Sequence, residues 1–174
     1  HNLRSDLASW DTKLISWFGR CNTLKMTILP KFLYLLQTIP ILLPRHYLRD
    51  VRSNFIRFIW AHRPPRLAFR LLRLPKDKGG LGVPDPFLYY YASHLSRVID
   101  WCCHQPAKLW VQMTHLLSPS PISGLPWSTP TDISPLRHAL LPSASATLTA
   151  FHRANSILRS SNAKIGRASC RERV

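Results

Sequence analysis

Ten cations fall between positions 45 and 78: Arg45, Arg49, Arg52, Arg57, Arg63, Arg66, Arg70, Arg73, Lys76 and Lys78, opposed by Asp50 and Asp77. Such a density of positive charge suits one chemistry above others, neutralising the phosphates of a nucleic-acid backbone with release of counterions. Arginine leads over lysine, and its planar fork matches phosphate oxygens in pairs. Arg45, Arg49 and Arg52 recur at steps of four and three, which places them on one face of a helix. Phe69, inside the same stretch, has two readings: it stacks on a base, or it packs on the adjoining helix, and packing is favoured for an aromatic ring beside apolar surface. Lys78-Gly79-Gly80 reads as an anion nest of backbone N–H groups or as a plain hairpin turn, and it lacks the spacing of a P-loop.

Other reactive residue types carry less. Cys102, Cys103 and His104 are consecutive and cannot all face one ion, so no zinc site is expected, and no cofactor motif is present. Asp6, Asp11, Asp50, Asp77, Asp85 and Asp100 are scattered, with no adjacent pair of the kind that holds two metal ions at a polymerase centre. His46, His62 and His94 stand alone. Tyr89, Tyr90 and Tyr91 on one helix point in different directions: one or two enter a core, and the rest meet neighbouring protein or nucleic acid.

These residues need a helical frame. Leu3, Leu7, Trp10, Leu14, Trp17 and Phe18 recur at three- and four-residue steps and predict a first amphipathic helix, with Gly19 ending it or permitting a sharp turn. A second covers about 22–38, kinked or broken near Leu29 because Pro30 removes a donor. Pro40 and Pro44 force an extended connector. A third runs 45–60 with Leu48, Val51, Phe55, Phe58 and Ile59 as its apolar stripe, stopped by Pro64 and Pro65. A short strand or irregular segment at 68–74, a turn at 76–80 and a return at 81–83 predict a short β-hairpin. Asp85 caps a fourth helix that opens on Pro86 and runs to about Trp101. A short fifth helix covers 108–117, and one or two helical turns fall within 148–158. The expected fold is mainly α: a small helical bundle with a hairpin near 68–84 over residues 1–104, then a weakly structured Pro/Ser-rich segment, extended or disordered, over 105–164.

The net charge of +16 implies an anionic partner. Cysteine usage suggests no disulfide framework and a reducing compartment. The N-terminal stretch carries Arg4 and Asp6 and has no apolar signal core. Ile28–Leu43 is the most apolar run, but Pro30, Lys31, Gln37 and Pro40 interrupt it and it is too short to span a bilayer, so it reads as a buried core segment; in the leading reading no membrane partner is expected.

Two segments carry a family resemblance: SWFGRCNTLKMTILPKFLYLLQTIPILLPRHYLRDVRSNFIRFIW, ending at Trp60, and RLPKDKGGLGVPDPFLYYYAS at 73–93. The first holds Trp17, Gly19-Arg20, Asn22, Lys25-Met26, Ile28-Leu29-Pro30-Lys31 and Phe58-Ile59-Trp60. The second holds Gly79-Gly80-Leu81, Pro84, Tyr89-Tyr90 and Ala92. Together they resemble the second-open-reading-frame polyprotein of LINE-type (non-LTR) retrotransposons, strongly over 1–104 and more weakly to about 160. Cys21 departs from the family's common apolar residue at that place. The resemblance implies a thumb-like helical domain downstream of the reverse-transcriptase palm, gripping RNA template and RNA–DNA hybrid weakly and without sequence preference. It implies the remainder of the parent polyprotein as a further partner, nuclear and cytoplasmic location, and no catalysis by this segment itself, with palm and endonuclease upstream. A second class stays open: a basic amphipathic helical module on an anionic membrane surface or a protein partner. Basic residues that continue from the helix into the hairpin loop favour nucleic acid.

The last residues, IGRASCRERV at 165–174, back-translate into one frame of a common sequencing adapter. The expectation is an artefactual tail on a fragment, and His1 in place of an initiating Met points the same way. With three arginines against one glutamate the tail holds +2 of the +16, leaving +14 on residues 1–164.

Overall fold

The computed structural model describes residues 3–103, 108–133, 135 and 139–171, with side chains of the last helix to Arg159. Contacts divide the chain into two compact units, the first of residues 1–39 and 43–90 and the second of 40–42 and 91–174. The fourth helix contributes its first turn to one unit and its remainder to the other.

In the first unit, α1 (Leu3–Asp11) stops well before the predicted end at Phe18. Ser16 caps a separate helix, α2 (Trp17–Thr23), by accepting the Gly19 N–H at 3.2 Å. Leu14, predicted on the buried face, is fully exposed in the intervening loop. Between α2 and α3 (Leu29–Thr38) lies one π-helical turn, Leu24–Ile28. It answers Pro30 locally: the Leu29 N–H reaches back to the Leu24 carbonyl, and the widened turn carries the chain past the ring without a break. α4 (Arg45–Ile59) buries Leu48, Val51, Phe55, Phe58 and Ile59, the predicted stripe.

The β-hairpin predicted near 68–84 does not form, and no strand occurs among the described residues. Phe69–Arg73 is a short helix, α5, followed by a 3-10 turn at Lys76–Lys78. Residues 81–83 do return alongside, but the bonding runs one way. The Leu81 and Val83 N–H groups both donate to the Leu72 carbonyl at 3.2 and 2.9 Å, and Gly82 donates to the Leu74 carbonyl at 2.7 Å. An antiparallel ladder needs reciprocal bonds. Here the Leu71 and Leu72 N–H groups are committed to the Ala68 carbonyl, and Pro75 has no N–H to offer. Gly79 takes φ +74°, and a Cβ on Gly80 would lie 2.0 Å from the Leu74 carbonyl oxygen, so each glycine answers a separate backbone demand. Cys21, Ile59, Trp60, Leu72 and Val83 close this part of the core.

α6 (Pro86–Cys102) starts on the predicted cap, with the Phe87 N–H donating to Asp85 Oδ1 at 3.2 Å. In the second unit, α7 (Leu109–Leu116) is the predicted fifth helix; a 3-10 turn at Leu125–Trp127, α8 (Pro130–Ile133) and α9 (Pro142–Arg171), which takes in the turns predicted within 148–158, replace much of the predicted extended segment. The prolines explain the difference. Pro130 and Pro142 open helices and Pro126 sits in the first turn of another, places where a missing N–H costs nothing. Trp101, Val98, Val111, Ile122, Leu125, Leu140, Leu148 and Phe151 pack as one buried cluster. The adapter-like stretch falls in the last turns of α9 and beyond, where no side chain is described. Among the described residues no helix is long and apolar enough to cross a membrane.

Candidate nucleic-acid interface

Burial of the α4 stripe decides where its arginines go. Arg45 and Arg49 flank the stripe on its solvent side and are exposed. Arg57, eight positions beyond Arg49, lies roughly a quarter-turn further round the helix. Arg52 borders the stripe and turns inward. Its Nη2 donates to both oxygens of Asp85, at 2.7 and 2.8 Å, and Arg73 Nη1 donates to Asp85 Oδ2 at 2.9 Å. The Arg52 guanidinium also lies over Phe87 and Phe69, 4.6 and 5.4 Å from the ring centroids. Asp85 is 2% exposed, and a buried carboxylate of this kind requires such partners. Arg52 and Arg73 are thus engaged in holding the start of α6, and Phe69, partly buried, packs against the core cluster, the second of its two readings.

The remaining predicted cations, Arg45, Arg49, Arg57, Arg63, Arg66, Arg70, Lys76 and Lys78, are exposed and enter no ion pair among the described residues. The Lys78-Gly79-Gly80 nest does not exist. The Gly79 and Gly80 N–H groups donate to the carbonyls of Lys76 and Pro75, both at 3.1 Å, and have nothing left for a phosphate.

A cavity of about 690 Å³ lies between the loop after α1 and the loop after α4. Trp17 and Trp60 stack on its wall, with centroids 5.6 Å apart and planes 7° from parallel. Lys13, Arg63 and Arg66 line it with the apolar Leu14, Ile15 and Leu67. The far loop is set by two left-handed residues, Ala61 at φ 48° and His62 at φ 60°. They let the His62 N–H close on the Arg57 carbonyl and the Arg63 N–H on the Trp60 carbonyl, both at 2.9 Å.

Beneath the cavity runs a charged network. Arg20, 6% exposed, bonds Asp11 Oδ1 and donates to the Phe58 carbonyl at 3.1 Å, and His62 Nε2 meets Asp11 Oδ2 at 2.5 Å. The Arg20 bond, then His62, hold the Asp11 carboxyl below its ordinary value against the opposing effect of burial. Burial raises the Cys21 thiol, with Lys25 opposing, which leaves it poorly nucleophilic. Lys25 Nζ in turn donates to the Leu81 carbonyl and anchors the return segment.

Neither the Trp17–Trp60 pair nor Lys13 was singled out from the sequence as a binding group. Trp17 fitted the apolar face of a longer helix, and only the stop at Asp11 brings it and Lys13 to the cavity. Tyr90 is the core tyrosine, its hydroxyl accepting the Leu43 N–H at 3.2 Å, whereas Tyr89 is exposed. Cys102 Sγ lies 3.8 Å from the Ser123 carbonyl, and His104, the third member of the discounted zinc reading, lies outside the described residues. No protein-family model matches this chain.

Proposed function

We propose that this chain is the part of a non-LTR retrotransposon reverse transcriptase that follows the palm, where it holds RNA template and RNA–DNA hybrid by their backbones beside the remainder of the polyprotein. The observation that supports this reading is the exposed charge of Arg45, Arg49, Arg57, Arg63, Arg66, Arg70, Lys76 and Lys78 on one folded unit, eight cations against Asp50 and Asp77, a distribution that attracts a polyanion. A membrane-surface role has less support, because it needs an apolar face turned to lipid on the basic helix, and the apolar face of α4 is buried. The isolated chain, without a paired aspartate motif, is expected to extend no primer.

Titration of RNA–DNA hybrid at rising salt tests the reading. Arg45→Ala/Arg49→Ala is expected to weaken binding equally across sequences and to flatten the log–log salt slope by about 0.9 for each lost phosphate contact. Affinity and slope equal to those of the unaltered chain would remove α4 from the interface.

A further inference from the structure

We infer that the cavity between the loop after α1 and the loop after α4 binds a single unpaired nucleotide, its base stacked on Trp17 and its phosphate held by Lys13, Arg63 and Arg66. This goes beyond the backbone grip proposed above. Arg63 and Arg66 enter both readings, but Arg45 and Arg49 do not line the cavity and Trp17 has no part in the backbone grip, so substitutions at those positions let the two ideas fail separately.

Four observations carry it. The volume, about 690 Å³, lies within the range of about 300–1,000 Å³ that small-ligand sites occupy. Trp17 is 42% exposed yet lies parallel to Trp60, which is itself 8% exposed. An indole already aligned on a buried partner offers a flat platform whose orientation need not be acquired on binding. The charge around the cavity is one-sided. Asp11 is its only carboxylate, and it is already paired with Arg20 and bonded to His62. Lys13, Arg63 and Arg66 have no acidic partner among the described residues. Finally, the loop carrying Arg63 and Arg66 is stiffened by the left-handed Ala61–His62 pair and by Pro64 and Pro65, a costly backbone arrangement that clusters at ligand clamps.

An aromatic platform with a cationic rim matches a nucleotide at both ends. The base supplies a π-face and the phosphate supplies the anion. A bare phosphate would leave Trp17, Leu14 and Ile15 without a partner. A purely apolar segment would leave Arg63 and Arg66 without one, Lys13 already lying over the Trp10 ring at 4.1 Å.

The test compares a blunt RNA–DNA hybrid with the same hybrid carrying an unpaired oligoadenylate overhang, and follows tryptophan fluorescence on addition of adenosine monophosphate or inorganic phosphate. The overhang is expected to tighten binding by about tenfold, within the range one stacked base contributes. Trp17→Ala should erase that gain and the monophosphate quench while leaving blunt-hybrid affinity unchanged. Trp17→Phe, which keeps a ring, should retain most of both. Arg63→Ala/Arg66→Ala, at exposed loop positions, should weaken the monophosphate and gives a second readout if Trp17→Ala loses helix content by circular dichroism. The proposal is overturned if the overhang brings no gain, or if Trp17→Ala with intact helix content leaves the gain unchanged. Phosphate competing as well as the monophosphate would overturn it in favour of a simple anion site. Binding of an apolar dye but not the monophosphate would overturn it in favour of an apolar occupant. Failure of the blunt hybrid to bind would defeat the backbone reading alone, since the monophosphate quench still decides this one.

Discussion

Asp11 joins three elements through one carboxylate: it ends α1, holds the α2 residue Arg20, and meets His62 after α4. Asp11→Asn would leave the Arg20 charge buried without its counter-ion, though the carbonyls of Phe58, Ile15 and Asp11 itself stay as acceptors. A loss of about 2 kcal/mol is expected near neutral pH, below the full cost of an orphaned buried charge. Because the folded-state value lies below the ordinary 3.8, the stabilisation is fully present above that pH and disappears as pH falls through the folded value. Denaturant melts of both proteins should converge in acid, and a constant gap would show that the carboxylate acts through shape and not charge. Gly80 gives a purely steric prediction. Gly80→Ala sets a methyl against the Leu74 backbone and should cost about 1–3 kcal/mol. Gly79→Ala faces open space and should cost only the left-handed penalty of about 1–2 kcal/mol. Thermal melts in which Gly80→Ala is neutral would place the return segment elsewhere.

Within the second unit, α6 and α9 meet where His94 Nδ1 lies 3.3 Å from Thr147 Oγ1. Burial, then the charge of Arg97, push His94 down to about 4, against a hydrogen bond to the Ile41 backbone that favours the proton. The imidazole is therefore neutral in the fold at physiological pH. Since its folded value lies below the ordinary 6.5, the unfolded chain takes the proton first. Stability then falls as pH drops from about 6.5 towards about 4, by at most about 3 kcal/mol at 1.4 kcal/mol per unit. Urea midpoints measured at about pH 7 and about pH 5 should drop for the unaltered chain and move much less for His94→Gln. An equal drop in both would assign the acid sensitivity to another group. The same scale shows why two of the ten predicted cations are poor candidates for nucleic acid. Arg52 and Arg73 fasten α4 and α5 to the cap of α6 through Asp85, so their loss should lower stability before it lowers affinity.

At the scale of the molecule, +16 is spread over two units, and buried residues of the second core reach no further than Ala154 among those described. A chain ending at Lys164 is therefore expected to melt within about 2 °C of the full chain and to bind hybrid with the same salt slope. A fall of several degrees would show that the last turns of α9 support the core, contrary to an artefactual origin.

Local chemistry alone determined α4 and α6. A five-residue stripe at helical spacing specified one, and an Asp-Pro start specified the other; neither depends on a distant partner. The same holds for the excess of basic charge and for the poor metal-binding prospects of three consecutive ligand-type residues. Tertiary structure decided the rest. Whether 69–73 became strand or helix turned on which carbonyls were free to receive Leu71, Leu72 and the returning 81–83 segment. Whether prolines meant extension or helix starts turned on an apolar cluster drawn from 98 to 151. Which arginines were tied into an ion pair turned on Asp85, twelve and thirty-three positions from its two partners. The Trp17–Trp60 wall joins the first residue of α2 to the residue that ends α4, across a helix break that no periodicity announces, because hydrophobic spacing records which residues can share a face and not where a chain must turn to bring two faces together.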